Sequence, residues 1–78
     1  MRLHLSGHLA WYESQKRSRV EISVPRSTLL INVLRDLGIP PGEIAIAVVN
    51  GAVVDAQTAR VSDADRVELF PPVGGGIS

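Results

Sequence analysis

The chain contains no cysteine. Disulfides cannot brace it, its own side chains can do no thiol chemistry, and thiolate-ligated metals are excluded. It also lacks an excess of either charge: eight basic and eight acidic side chains cancel. No electrostatic bias therefore draws it to nucleic acid or to an anionic membrane surface. Nor does any stretch approach the ~20 apolar residues that a bilayer-spanning helix requires. The start, Met1-Arg2-Leu3-His4, holds polar residues where a signal peptide would place its apolar run, so the expected location is the cytoplasm.

What is present is the composition of a folded domain, with 45% apolar and 21% charged residues in 78. A chain of this size buries roughly 60% of the surface its unfolded form exposes, enough for one core but not for a deep enclosed site. Between Arg2 and about Tyr12, residues Leu3, Leu5, Leu9 and Trp11 share one parity with Gly7, the period of a half-buried strand. Glu13 to Arg19 reads as a polar loop, and its cluster Lys16-Arg17-Ser18-Arg19 as a solvated turn. Val20, Ile22 and Val24 alternate with Glu21 and Ser23 as a second strand, most simply paired antiparallel to the first.

Pro25 ends that strand, and the hydroxyl of Ser27 or Thr28 is placed to cap a helix. Leu29, Leu30, Val33, Leu34 and Leu37 form one apolar stripe at helical spacing. Gly38 occupies the left-handed position that closes a helix, and Pro40-Pro41 forbids its continuation. Ile44 to Val49 is an almost wholly apolar run, read as a central strand. Asn50-Gly51 tolerates the positive φ of a tight hairpin, returning through Val53-Val54. Asp63-Ala64-Asp65 reads as a turn before a last strand, Arg66 to Phe70, stopped by Pro71-Pro72.

One helix with one apolar stripe must cover the sheet, and a right-handed crossover puts the last strand parallel to the first. The expected architecture is an α+β β-grasp: a mixed sheet of four to five strands on one main helix. Residues 1–73 make up the folded body and residues 74–78 a flexible glycine tail.

Val49-Asn50-Gly51, Val53-Val54 and above all the run from Asp65 through Leu69-Phe70-Pro71-Pro72-Val73-Gly74-Gly75-Gly76 resemble the ubiquitin-like sulfur-carrier family typified by MoaD and ThiS. Leu34-Arg35-Asp36-Leu37-Gly38-Ile39-Pro40 resembles that family's helix end. The lead-in Leu69 to Val73 is closer to the small subunit of molybdopterin synthase than to the thiamine carrier. The resemblance implies a carrier that is not itself an enzyme and binds no cofactor. A ubiquitin-activating-type enzyme would spend ATP to adenylate the C-terminal carboxylate of Gly76. A persulfide sulfur would then displace AMP, and the resulting thiocarboxylate would deliver sulfur to a molybdopterin-type or thiamine-type precursor. Gly74 and Gly75, without Cβ atoms, would let the tail lie in a narrow channel. Phe70, Pro71, Pro72 and Val73 would face the activating enzyme or a larger synthase subunit.

The sequence departs from the family in one respect. Members end at the second glycine, which aligns with Gly76, but here Ile77-Ser78 follows. A Gly76-Ile77 peptide has no carboxylate to adenylate. Three readings stand: a precursor trimmed by a JAMM-type zinc metallopeptidase, an interaction module or protein modifier that has given up sulfur transfer, or two residues foreign to the natural chain.

Other chemistry-bearing residues read as ordinary surface. His4 and His8, four apart on a strand, would lie roughly 13 Å from each other, too far to share a metal. Lys16, the single lysine, sits in a polar loop, and Asp63 and Asp65 are turn formers. Phe70 falls on the parity opposite Val67 and Leu69, on the open face if those two face the helix. Both parities of the Ile44–Val49 run are apolar, so which side of it extends that face is left open.

Overall fold

The computed structural model describes residues 1–72. In chain order come strand β1 (Arg2–Leu5), a 3₁₀ helix (Gly7–Tyr12), β2 (Arg19–Glu21), β3 (Thr28–Leu29) and helix α1 (Leu30–Leu37). A second 3₁₀ helix (Pro41–Glu43), β4 (Ile46–Val49), β5 (Ala52–Val54), β6 (Arg60–Val61) and β7 (Arg66–Phe70) follow. Five strands form one mixed sheet in the order β2-β1-β7-β4-β5. Its central pair, β1 and β7, is parallel, and the other pairs are antiparallel. With α1 packed on one face, the fold is the expected α+β β-grasp.

The core follows the two periodicities. Leu3 and Leu5 of β1, Val67 and Leu69 of β7 and Ala47 of β4 meet Leu30, Val33 and Leu34 of α1, and all are buried. Gly38 closes the helix at φ 81°, its N–H bonded to the carbonyls of Arg35 and Leu34. Asn50 and Gly51 take φ 52° and 84°, the doubly positive pair of a two-residue hairpin.

Three local expectations are corrected. The first strand stops at Leu5, because Gly7 adopts φ +57° and turns the chain into the 3₁₀ helix. Period two therefore fails beyond it: Leu9 is fully buried but Trp11 is 69% exposed. Neither Ser27 nor Thr28 caps α1. Leu29 holds the cap position, and Thr28–Leu29 pairs with Arg60–Val61 in a small second sheet. The Leu30 N–H is satisfied by the Ala59 carbonyl at 2.9 Å, so strand pairing does the work of a hydroxyl cap. The second strand is shorter than its alternation, Arg19–Glu21. Val24 is nonetheless buried, its N–H held by the Asp63 carboxylate.

The core should respond to side-chain loss in proportion to burial. Leu34→Ala should cost about 2–5 kcal/mol in urea unfolding, whereas Asn32→Ala, on the exposed side of α1, should change stability by less than about 0.5 kcal/mol. Equal losses at the two positions would mean that α1 does not cover the sheet.

Candidate functional site: the open sheet face and the chain exit

Strand register decides which side chains face away from α1. Ile46 stands opposite Phe70, Val48 opposite both Glu68 and Val53, His4 beside Glu68 and opposite Arg19, and Arg2 between Glu21 and Arg66. The face therefore has two halves. Ile46, Val48, Val53 and Phe70 make the apolar half, with Ile46 45% and Val53 75% exposed. Arg2, Arg19, Arg66, His4, Glu21 and Glu68 make the charged half. The parity left open in the β4 run is thus fixed: Ala47 and Val49 pack toward the helix, Ile46 and Val48 away from it.

The chain leaves the sheet at the end of β7, beside the apolar half. Two backbone bonds hold that end, from Ser6 N–H to the Leu69 carbonyl at 3.0 Å and from Ala45 N–H to the Phe70 carbonyl at 2.8 Å. Pro71 and Pro72 have no N–H to extend the ladder. Pro71 also packs against Gly7, where a Cβ would come within 2.9 Å of the proline Cγ. Gly7 is thus doubly constrained, by its positive φ and by this contact, and it fixes where the exit begins.

The 3₁₀ helix that starts at Gly7 ends at its cap residue Glu13, whose backbone N–H bonds the Ala10 carbonyl and which is the only buried charged residue among those described, at 3% exposure. Its carboxylate accepts from Arg17 Nε at 3.2 Å, Arg17 Nη2 at 3.0 Å, the Arg17 backbone N–H at 2.8 Å, the Gln15 N–H at 3.2 Å and the Ser14 hydroxyl at 3.0 Å. The Arg17 guanidinium, and after it the Arg17 backbone N–H, draw the carboxyl from the ordinary 4.5 down to about 2, against the opposing effect of burial. At the opposite end of the sheet Asp65 accepts from the Asn50 amide at 2.9 Å and the Ser62 N–H at 2.8 Å. The Asn50 bond, then the Ser62 bond, hold its carboxyl below the usual range.

Phe70 is half-buried on the open face as expected, Pro71 half-buried against Gly7, and Pro72 exposed. Val73, Gly74, Gly75, Gly76, Ile77 and Ser78 lie outside the described residues. The histidines are not on one strand: His4 is on β1, while His8 is on the 3₁₀ helix with Nε2 3.1 Å from Glu43 Oε1. Lys16 lies over the exposed ring of Trp11, 5.5 Å from its centroid. Sequence reasoning missed Glu13 and Gly7. The Glu13–Arg17 spacing of four was a usable signal for the first, and a glycine inside an alternating run for the second.

No group of three or more His, Asp or Glu side chains able to hold a metal converges among the described residues. None of their helices is long and apolar enough to cross a membrane. What the geometry offers is a β-grasp body whose open sheet face is half apolar, with Pro71 and Pro72 following the strand that borders it. The chain belongs to the ThiS family, whose sequence model matches residues 9–76. Members of that family are small carrier proteins rather than enzymes and work in general with adenylating enzymes, and a sulfur-carrier role is accordingly assigned to this chain. No curated protein and no solved structure matches it significantly.

Two predictions follow from the exit and its support. Gly7→Ala should destabilise the fold by about 1–2 kcal/mol from backbone conformation alone, and should shift the amide resonances of Phe70 and Ser6. A variant as stable as the parent, with those resonances unmoved, would refute the contact with Pro71. For Glu13, the carboxyl titrates lower in the folded state, so its contribution is present above about 4.5 and is lost as pH falls toward about 2. Glu13→Gln should therefore be less stable than the parent at neutral pH, and the difference should shrink steadily between those limits in acid urea titrations.

Proposed function

We propose that the chain is a sulfur carrier loaded at Gly76, once Ile77-Ser78 has been removed, for molybdopterin-type or thiamine-type cofactor synthesis. The observation that supports this reading is the placement of the apolar open face beside Pro71 and Pro72, from which the sequence runs on to Gly74-Gly75-Gly76. Phe70, Ile46, Val48 and Val53 form a surface that a partner can cover while the following residues enter that partner's active site. Exposed apolar area of this kind on so small a domain marks a binding surface, and aromatic residues dominate such contacts.

The chemistry belongs to the terminus and the partner. A carboxylate is a poor electrophile. Attack of the freed Gly76 carboxylate on the α-phosphorus of ATP expels pyrophosphate and leaves an acyl adenylate. A persulfide sulfur on the activating enzyme or a sulfurtransferase then attacks the acyl carbon and expels AMP. Reductive cleavage of the acyl disulfide by a thiol leaves the thiocarboxylate. Gly74 and Gly75 let the extended backbone approach the channel walls without Cβ clashes, and Pro71-Pro72 keeps the preceding backbone from rejoining the sheet. Removal of Ile77-Ser78 falls to a JAMM-type metallopeptidase, which exposes the carboxylate.

Intact mass measurement of the chain from its native cells tests the reading. Loss of Ile-Ser followed by exchange of one oxygen for sulfur is expected; a full-length chain, unaltered beside its activating enzyme and ATP, would instead support an interaction module. Phe70→Ala, in a chain ending at Gly76, should weaken binding to the activating enzyme by about 2 kcal/mol, about thirtyfold. An unchanged affinity would remove Phe70 from the docking surface.

A further inference from the structure

The charged half of the open face goes beyond the docking surface just described. Arg2 and Arg66 are register partners on adjacent parallel strands, and Arg19 stands two rows on, opposite His4. Like charges at neighbouring positions of a sheet oppose each other. Two of the other four arginines are tied down: Arg17 grips Glu13 at 3.0 Å, and Arg60 donates to the Ser27 hydroxyl and carbonyl at 3.0 and 2.9 Å. The three on this face are not. Among the described residues, neither the Arg19 nor the Arg66 side chain has an ion pair or hydrogen bond. Arg2 has only a 3.7 Å contact with Glu21, both of them more than three-quarters exposed. A contact that exposed and that long adds almost nothing. Between these residues lies a shallow, open concavity of about 390 Å³, edged by Arg2, His4, Arg19, Glu21, Arg66 and Glu68.

The three guanidinium groups thus surround a hollow that continues directly into the apolar half, since Glu68 borders both His4 and Val48. On the one face that its fold leaves uncovered the chain sets three arginines against two glutamates, Glu21 and Glu68. We propose that this half is a second contact zone for the activating enzyme, and that it receives acidic side chains next to the apolar surface that covers Phe70 and Ile46. Guanidinium forks pair with carboxylates in a fixed, bidentate geometry, so the zone sets the rotation of the body on its partner and thereby aims the exit. The occupant is an acidic protein surface. A nucleic acid would bring an unbroken row of phosphates against Glu21 and Glu68, whereas a folded partner can set carboxylates opposite the arginines alone; a second copy of the chain would bring its own arginines to the same rows.

The inference rests on the carrier reading for the identity of the partner, but binding and loading can be measured separately. The full chain is titrated by calorimetry, without ATP, against the ubiquitin-activating-type enzyme of the same genome. The parent should bind, with affinity falling as salt rises from roughly 0.05 to 0.5 M. Arg19→Glu with Arg66→Glu should weaken binding about tenfold at the low end and flatten the salt dependence. Arg19→Gln with Arg66→Gln should fall between the two, and a thermal melt at or above the parent's would show that the fold is intact. No binding by the parent, affinity of the reversed pair within about twofold of it, or a salt-independent parent would overturn the proposal. So would a parent that sediments as a dimer which the reversed pair dissolves, since the face would then belong to a second copy. Binding that follows this pattern with no acyl adenylate formed on a chain ending at Gly76 would sink the carrier reading alone. Adenylate formed with no effect of charge reversal would sink this inference alone.

Discussion

The parallel pairing of β1 with β7 is the contact on which the remaining geometry depends. Four consecutive register pairs, from Arg2 with Arg66 to Leu5 with Leu69, put the beginning of the chain against its end at the centre of the sheet. Parallel neighbours cannot be joined by a tight turn, so the intervening chain must cross over, and α1 is the crossing element. Because the two strands run the same way, the segment leaving β1 and the segment leaving β7 emerge side by side. That is why Gly7 meets Pro71, although 64 positions separate them. An antiparallel pairing of the same two strands would have put the 3₁₀ helix and the chain exit at opposite ends of the body.

Much of this was legible in the residues. Alternation in Arg66–Phe70, the helical stripe read as Leu29 to Leu37, of which Leu29 falls to β3 and the rest to α1, and the Gly38 and Asn50-Gly51 signals each reflect a local rule that packing then obeyed. The failures share a cause. Gly7 breaks a period-two pattern that continues in sequence but not in space, and nothing in the alternation itself shows a positive φ. Ser27 and Thr28 have the chemistry of caps, but the amide they would satisfy is already taken by Ala59, a residue about thirty positions away. The short β3–β6 sheet escaped notice because two residues have no period to read. Local propensity was overridden wherever a long-range partner offered the same hydrogen bond.

The site was legible in part. Phe70 could be assigned to the open face from its own strand, since Val67 and Leu69 announced the inner parity. Ile46 and Val53 could not, because the β4 run is apolar on both sides and only its register against β7 distinguishes them. The same register gathers Arg2, Arg19 and Arg66. Spread over 65 positions of sequence, they do not stand out together; only Arg19 falls in the densest run, Lys16 to Arg19, where Glu13 takes up Arg17. Linear charge density and charge on a face are different quantities in a sheet protein, because each strand contributes only every second residue.

A carrier of this kind faces opposing demands. Its terminus must leave the body free of backbone pairing, while the body must hold the point of departure still enough for a partner to aim it. The structure separates the two at Phe70. Up to that residue the backbone is bonded on both sides, by Ser6 and Ala45, and Val67 and Leu69 of β7 are locked in the core. Immediately after it two prolines remove the donors on which pairing depends. The fixation reaches one residue further only through the contact with Gly7, and the 3₁₀ helix carrying Gly7 runs into the loop that the Glu13 carboxylate closes on Ser14, Gln15 and Arg17. The wall against which the exit is set is therefore a glycine at positive φ, and the absence of a Cβ there is what lets Pro71 approach.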